Sequence, residues 1–297
     1  MKNMRIPLFI ALGVAIIGII FGSFFDLAIS TAIASPTNGF ALTVSAILPT
    51  IGFAGVAVMG GGFIALALKG KYHIALKILF YVLAACCLGV AIYYPAGEYF
   101  GINGFYEKAP QWVGYLIVIL PEAGAMVGGY FLFKDCENKN MWIVFCIIIV
   151  LLLIALLGVI PMIKDNMHRP RYRLISTTSI TTFHNWWEPL ENYDVLKDKS
   201  AHDNFKSFPS GHTAEVSILF VVTTFFPLAN KKFAKYQLPA FIAAGALVLL
   251  VAIARILAAA HFLSDVSWGA TIMLTLTFIA NEIVMRIKAL HPSEIKE

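Results

Sequence analysis

A polytopic all-α membrane bundle is the fold this sequence predicts, and three observations predict it. Charged residues fill only 13% of the 297 positions and hydrophobic residues 59%, at a mean hydropathy of +0.80, far from the composition of a soluble domain. The apolar residues fall in runs of roughly 20, the length a helix needs to cross the hydrocarbon core. Lysines and arginines collect in the short connections between alternate runs, as membrane topology requires.

Taken in order, the runs cover 7–25, 51–68, 74–94, 112–133, 141–163, 213–228, 238–257 and 266–287. The first follows Lys2 and Arg5 and is long for the core of a signal peptide, so it is expected to stay as an anchor. Segment 40–48 either extends the second helix or lies in the interface, and periodicity leaves both open. The sixth run is the shortest and opens directly on a polar motif. If all eight runs span, Lys2, Arg5, Lys69, Lys71, Lys134, Lys139, Lys231, Lys232, Lys235, Arg286 and Lys288 share one side, which the positive-inside rule makes cytoplasmic. Both termini then lie inside, and residues 164–208 lie outside together with the turn at His261.

The net charge of +5 is spread over these loops and forms no basic stripe, so no nucleic-acid partner is expected. Cys86, Cys87 and Cys146 sit in apolar runs and Cys136 in a charged loop; none has metal-ligand spacing, and no disulfide framework is expected. Without a repeat or low-complexity tract, the chain reads as one membrane domain with a polar insertion. "HNWWEP" at 184–189 reads as an interfacial aromatic anchor. Trp186, Trp187 and residues 99–106 are expected to influence substrate choice.

Three polar islands face the outer side: "KDNMHRPRYR" at 164–173, "KSFPSGHTAE" at 206–215, and "ARILAAAHFLSD" at 254–265. A Ser-Gly turn at a helix start offers unpaired N–H groups at the positive end of the helix dipole, which suits phosphate, so Ser210 and Gly211 read as an anion nest. Lys164, Arg171 and Arg255 are positioned to enclose one dianionic group. An arginine within an apolar run, as Arg255 is, usually lines a polar cavity. If the third island is helical, His261 and Asp265 at i and i+4 share a face, so Asp265 accepts from one ring nitrogen and leaves the other as a nucleophile. His212, beside the nest, is placed to protonate a leaving oxygen and then activate water. These parts describe phosphoryl transfer through a covalent phosphohistidine. A two-His, one-carboxylate metal site from His212, His261 and Asp265 is the competing reading, disfavoured by three cations aimed at the same cavity.

The order and spacing resemble the type 2 phosphatidic acid phosphatase superfamily, whose pattern is K-x6-R-P, P-S-G-H and S-R-x5-H-x3-D. Lys164 precedes Arg171 at that spacing, "PSGH" is complete at 209–212, and Arg255, His261 and Asp265 keep the third motif. Tyr172 stands where the family has Pro and Ala254 where it has Ser; the nearby Arg169-Pro170 offers the missing rigidity. The resemblance implies a six-helix core preceded by two extra helices, with residues 1–140 of unassigned role and 141–297 catalytic. It implies that His261 attacks phosphorus, Asp265 holds it and His212 protonates the departing oxygen. Lys164, Arg171, Ser210, Gly211 and Arg255 bind phosphate, without metal or organic cofactor.

The expected activity is hydrolysis of the terminal phosphate of a membrane phospholipid or polyprenyl diphosphate at the outer face. A phosphotransferase using the same site and a non-enzymatic phosphate-lipid carrier are the alternatives. Glu215, one turn into the sixth helix, is expected to set Lys164 or Arg171. Glu122, a carboxylate inside the fourth run, has no assigned role, His168 and Lys206 are expected to be solvated, and the oligomeric state is open.

Overall fold

The computed structural model describes residues 4–100, 111–136, 138 and 140–287, with the backbone alone at 97–100 and 111–114. The described residues form helices joined by short loops. Among the described residues, eight helical segments are long and apolar enough to cross a membrane, and this is a multi-pass membrane protein. Residues 99–106, expected to bear on substrate choice, lie outside the residues whose side chains are described.

Helix α1 (Arg5–Ile33) turns Phe9, Ile10, Ile17 and Phe24 outward and buries Leu8, Ala15, Ile19, Gly22, Asp26 and Ser30 on one stripe. Lipid is as apolar as the protein core, so the greasy face needs no protein partner, and the small and polar stripe marks the packed side. That stripe lies against α12 (Leu263–Arg286). Helix α2 (Gly39–Lys69) is the most enclosed span and packs on α3 (Ile74–Phe100), α4 (Gln111–Phe133), α9 (Gly211–Val216) and α11 (Gln237–Leu257). It runs unbroken through Pro49, so segment 40–48 extends the second helix. Its approach to α4 depends on glycine: a Cβ at Gly61 would stand 1.9 Å from the Met126 carbonyl oxygen.

The fifth span begins as α5 (Met141–Leu153), passes through a π-helical turn (Ile154–Val159) and continues as α6 (Ile160–Met167). It extends past the expected end at 163 and carries Lys164 on its last turn. His168 stops it with a left-handed backbone, φ 45°. The polar insertion is itself folded. It holds α7 (Tyr172–Thr177) and α8 (Tyr193–Leu196) around a small core of Leu174, Leu190, Leu196 and Phe205. The sixth span is α9 followed by α10 (Ile218–Phe225).

Candidate active site

His261 does not lie in a helix. Helix α11 ends at Leu257, and Ala259 adopts a left-handed backbone, φ 55°. Its N–H bonds the Ile256 carbonyl at 2.9 Å, and the Ala260 N–H returns to the Arg255 carbonyl at 3.1 Å. This is a Schellman closure with alanine at the position usually given to glycine. The His261 N–H joins it on the Arg255 carbonyl at 3.2 Å, so the closure fixes where the ring starts. Asp265 belongs to the first turn of the next helix, α12, where its Oδ2 accepts the Phe262 N–H at 2.8 Å.

The continuous helix that would put His261 and Asp265 on one face is therefore absent, and the pairing changes with it. His261 Nδ1 is 2.5 Å from the Ser207 carbonyl oxygen and 3.9 Å from the nearest Asp265 oxygen. Because a carbonyl only accepts, Nδ1 carries the proton. Burial pushes the ring's pKa well below its ordinary value, helped by the charges of Arg171, Arg255, Lys164 and His212. A neutral ring protonated at Nδ1 keeps its lone pair on Nε2, the form a nucleophile needs. Asp265 reaches the ring indirectly: its Oδ2 accepts from the Ser207 hydroxyl at 2.5 Å.

The Pro-Ser-Gly-His turn is locked onto the start of α12. The Ser210 N–H donates to the Asp265 carbonyl at 3.0 Å. The Ser210 hydroxyl oxygen caps α9, accepting from the Thr213 N–H at 3.4 Å and the Thr213 hydroxyl at 3.1 Å. The expected unpaired Ser210 N–H is thus already committed, because a buried amide must find a partner in the protein. The Gly211 N–H, at the first position of α9, has no intrahelical acceptor. Gly269 of α12 makes the approach possible, since a Cβ there would lie 2.4 Å from the Ser210 carbonyl oxygen.

Lys164, Arg171 and Arg255 do converge. The charges of Arg171, Arg255, Asp203 and Glu215 all bear on Lys164. Arg171 is held by Asp203 twice, through the backbone carbonyl at 2.8 Å and the carboxylate at 2.7 Å. The other Asp203 oxygen takes Arg173 at 2.7 Å. Burial works to raise the Asp203 carboxyl, but Arg171, Arg173, Lys164 and Arg255 hold it below its ordinary value. Glu215 Oε1 and Lys164 Nζ flank Gly211, each 3.6 Å from where its Cβ would be. The Glu215 carboxylate also stands 3.9 Å from His212 Nδ1, a relation the sequence reading missed although the i, i+3 spacing offered it.

The fold also places the other residues named above. Trp186 has partners inside the protein: its indole N–H donates to Ser23 of α1 at 2.9 Å and its ring packs on Phe208 and Trp268. Lys206 pairs with Asp165 at 3.2 Å, and His168 stacks on Tyr193. Glu122 is fully buried, and neither oxygen has a hydrogen-bond partner among the described residues. Arg169, read as a source of rigidity, is wholly buried and donates to Asp265 at 2.5 Å and Asp26 at 2.9 Å. Among the described residues no three His, Cys, Asp or Glu side chains gather as a metal-ligand set.

Over 88 residues the chain is 32% identical to phosphatidylglycerophosphatase B of Bacillus subtilis (strain 168), a stretch that covers 29% of this chain and 43% of that one. The match therefore spans less than half of the relative's length. A crystal structure of a transmembrane PAP2-type phosphatidylglycerolphosphate phosphatase from Bacillus subtilis superposes over 90% of this chain and 96% of its own. Its identity is 18% and its TM-score 0.37, too low a likeness to carry an argument. Residues 139–288 match the PAP2 superfamily profile. That segment is half of the chain and holds Lys164, Arg171, Ser210, Gly211, His212, Arg255, His261 and Asp265, and this chain belongs to the PAP2 superfamily.

Proposed function

We propose that this protein is a membrane phosphatase that removes the terminal phosphate of a phospholipid or polyprenyl diphosphate at the outer face, through a phosphohistidine on His261. The observation that carries the reading is the His261 ring: buried, with Nδ1 2.5 Å from the Ser207 carbonyl oxygen, and with its pKa lowered by burial and by the charges of Arg171, Arg255 and Lys164. A neutral nucleophile surrounded by cations suits an anionic phosphate, whose transition state spreads negative charge over its equatorial oxygens.

In this reading His261 Nε2 attacks phosphorus while the bond to the leaving oxygen breaks in line. His212 gives that oxygen a proton, then takes one from the water that attacks the phosphohistidine, and inorganic phosphate leaves. Lys164, Arg171, Arg255 and the Gly211 N–H stabilise the developing charge. Glu215 and Asp203 hold their partners in place, and Ser210 shapes the turn. Asp265 acts on the ring through Ser207. Residues 141–297 carry the chemistry, while residues 1–140 frame it. No metal or organic cofactor enters the scheme, and both termini are cytoplasmic by the distribution of Lys and Arg.

The lipid substrate class is supported by a groove of about 680 Å³ along α1, α11 and α12, lined by residues such as Val14, Phe241, Val248 and Leu274. It reaches Thr213 and Leu263, next to His212 and to the His261 loop. An apolar tail lying there leaves its phosphate at the helix ends. The name of the Bacillus relative puts phosphatidylglycerol phosphate first among the lipids to assay.

The test is phosphate release in detergent from phosphatidylglycerol phosphate, phosphatidic acid, diacylglycerol pyrophosphate and undecaprenyl diphosphate. Turnover by the wild type, with a loss of about 10³-fold or more in His261→Ala, supports the reading. Unchanged turnover in His261→Ala contradicts it, and phosphate appearing on an added lipid alcohol instead of in solution shows a transferase.

A further inference from the structure

Asp26 lies in α1, outside the segment that matches the family, and is 2% exposed. One turn earlier Gly22 lets the helix come close, since a Cβ there would stand 2.6 Å from the Ser264 nitrogen. Asp26 Oδ1 accepts the Ser264 N–H at 2.9 Å, so α1 caps the first turn of α12 from a distant part of the chain. Its Oδ2 accepts from the Ser264 hydroxyl and, at 2.9 Å, from Arg169. The other arm of Arg169 donates to Asp265 Oδ1 at 2.5 Å and to the Ser264 hydroxyl oxygen at 2.9 Å. From Asp265 the path continues through the Ser207 hydroxyl, at 2.5 Å, to the residue whose carbonyl receives His261 Nδ1.

One guanidinium thus serves two buried carboxylates. Asp26 meets only donors, the Ser264 N–H, the Ser264 hydroxyl and Arg169. Asp265 also meets only donors: Arg169, the Phe262 N–H and the Ser207 hydroxyl. With both ionised, the triad of Asp26, Arg169 and Asp265 carries one net negative charge. Were Asp26 neutral, Arg169 would pair with Asp265 alone and cancel its field at the ring. Shared, it leaves Asp265 negative at 3.9 Å from His261 Nδ1. A ring that forms an N–P bond through Nε2 while keeping its Nδ1 proton becomes positively charged, and a nearby negative charge in a dry site stabilises it.

We propose that Asp26 is a positioning residue of the active site, which caps α12 and divides Arg169 with Asp265 so that Asp265 retains negative charge beside His261. This rests on the phosphohistidine reading. The experiment compares wild type, Asp26→Asn, Asp26→Ser and Asp26→Glu for kcat and KM on whichever of the four lipids the wild type turns over, with melting temperature in detergent. Both neutral variants keep an acceptor for the Ser264 N–H but lose the charge. The expected result is kcat reduced about tenfold or more in them, KM within about threefold, and kcat largely restored in Asp26→Glu. A kcat in the folded neutral variants within about twofold of wild type, an equal loss in Asp26→Glu, or failure of both neutral variants to fold would overturn it, the last because it assigns Asp26 to the fold alone. If the wild type hydrolyses none of the lipids, the proposed function falls, and Asp26 is judged on the ring itself. In ¹⁵N-histidine-labelled protein, with His261 identified by its loss in His261→Ala, the ring nitrogen shifts should match in wild type and Asp26→Glu and differ in Asp26→Asn. Identical shifts in all three would overturn the assignment.

Discussion

His261 and Ser207 are joined by a 2.5 Å contact between the ring Nδ1 and a backbone carbonyl, while the carboxylate of Asp265 stays 3.9 Å away. A carbonyl fixes the Nδ1–H tautomer without bringing a full charge into contact with the ring. Burial, and the charges of Arg171, Arg255 and Lys164, keep the ring neutral.

That neutrality makes the stability of the protein depend on pH. The ring's folded pKa lies below its ordinary value of about 6.5, because protonation would place a charge in a buried site already facing Arg171, Arg255 and Lys164. The unfolded chain takes up that proton freely near pH 6.5, so the contribution is fully present above about pH 6.5 and is lost as pH falls toward the folded pKa. The melting temperature in detergent should drop between about pH 7.5 and about 5.5, and drop less in His261→Asn. Equal drops in the two proteins would show that the ring is not held neutral.

Gly269→Ala should be costly. Its Cβ would lie 2.4 Å from the Ser210 carbonyl oxygen, and backbone cannot step aside as a flexible side chain can, so α12 and the Pro-Ser-Gly-His turn must separate. We expect a loss of about 1–3 kcal/mol in stability and about tenfold or more in kcat. Gly89→Ala in α3, where no described residue lies within 4 Å of the new Cβ, is the control and should be neutral or slightly stabilising. A Gly269→Ala protein as active as the control would mean that the turn is not tied to α12.

Asp203→Ala should act on binding. It removes the carboxylate that holds both Arg171 and Arg173, so the Arg171 fork keeps only its bond to the residue 203 carbonyl. KM should rise about fivefold or more, with a smaller change in kcat. A fall in kcat at constant KM would instead place Asp203 in the chemical step.

Glu122 should be dispensable. Its buried carboxyl has no hydrogen-bond partner among the described residues, and an unpartnered buried carboxyl costs stability. Glu122→Met, close in volume, should raise stability by about 1 kcal/mol or more and leave turnover within about twofold. A large loss of turnover would give Glu122 a function that its surroundings do not suggest.

The spans were legible because lipid demands runs of about 20 apolar residues, and the site's charged members were legible because residues of such cost in an apolar chain need a reason. What stayed hidden has a physical pattern. Ser207 contributes a carbonyl, which any residue possesses, so no side-chain signal marks it. Asp26 and Arg169 lie 143 positions apart and meet through tertiary packing alone. Ala258, Ala259 and Ala260 read as helix by propensity, yet Ala259 turns left-handed to close α11, and this ended the i, i+4 argument for His261 and Asp265. Arg171 and Lys164 were assigned to phosphate without Asp203, because the paired aspartate lies on the far side of a folded insertion that reads as polar loop.

The most direct measurement uses lipid labelled with ³²P in its terminal phosphate, quenched in alkali, where phosphohistidine survives. In His212→Ala, which lacks the group proposed to activate water, label should accumulate on the peptide that contains His261, and His261→Ala should carry none. Label on any other residue, or equal labelling of His261→Ala, would contradict the mechanism.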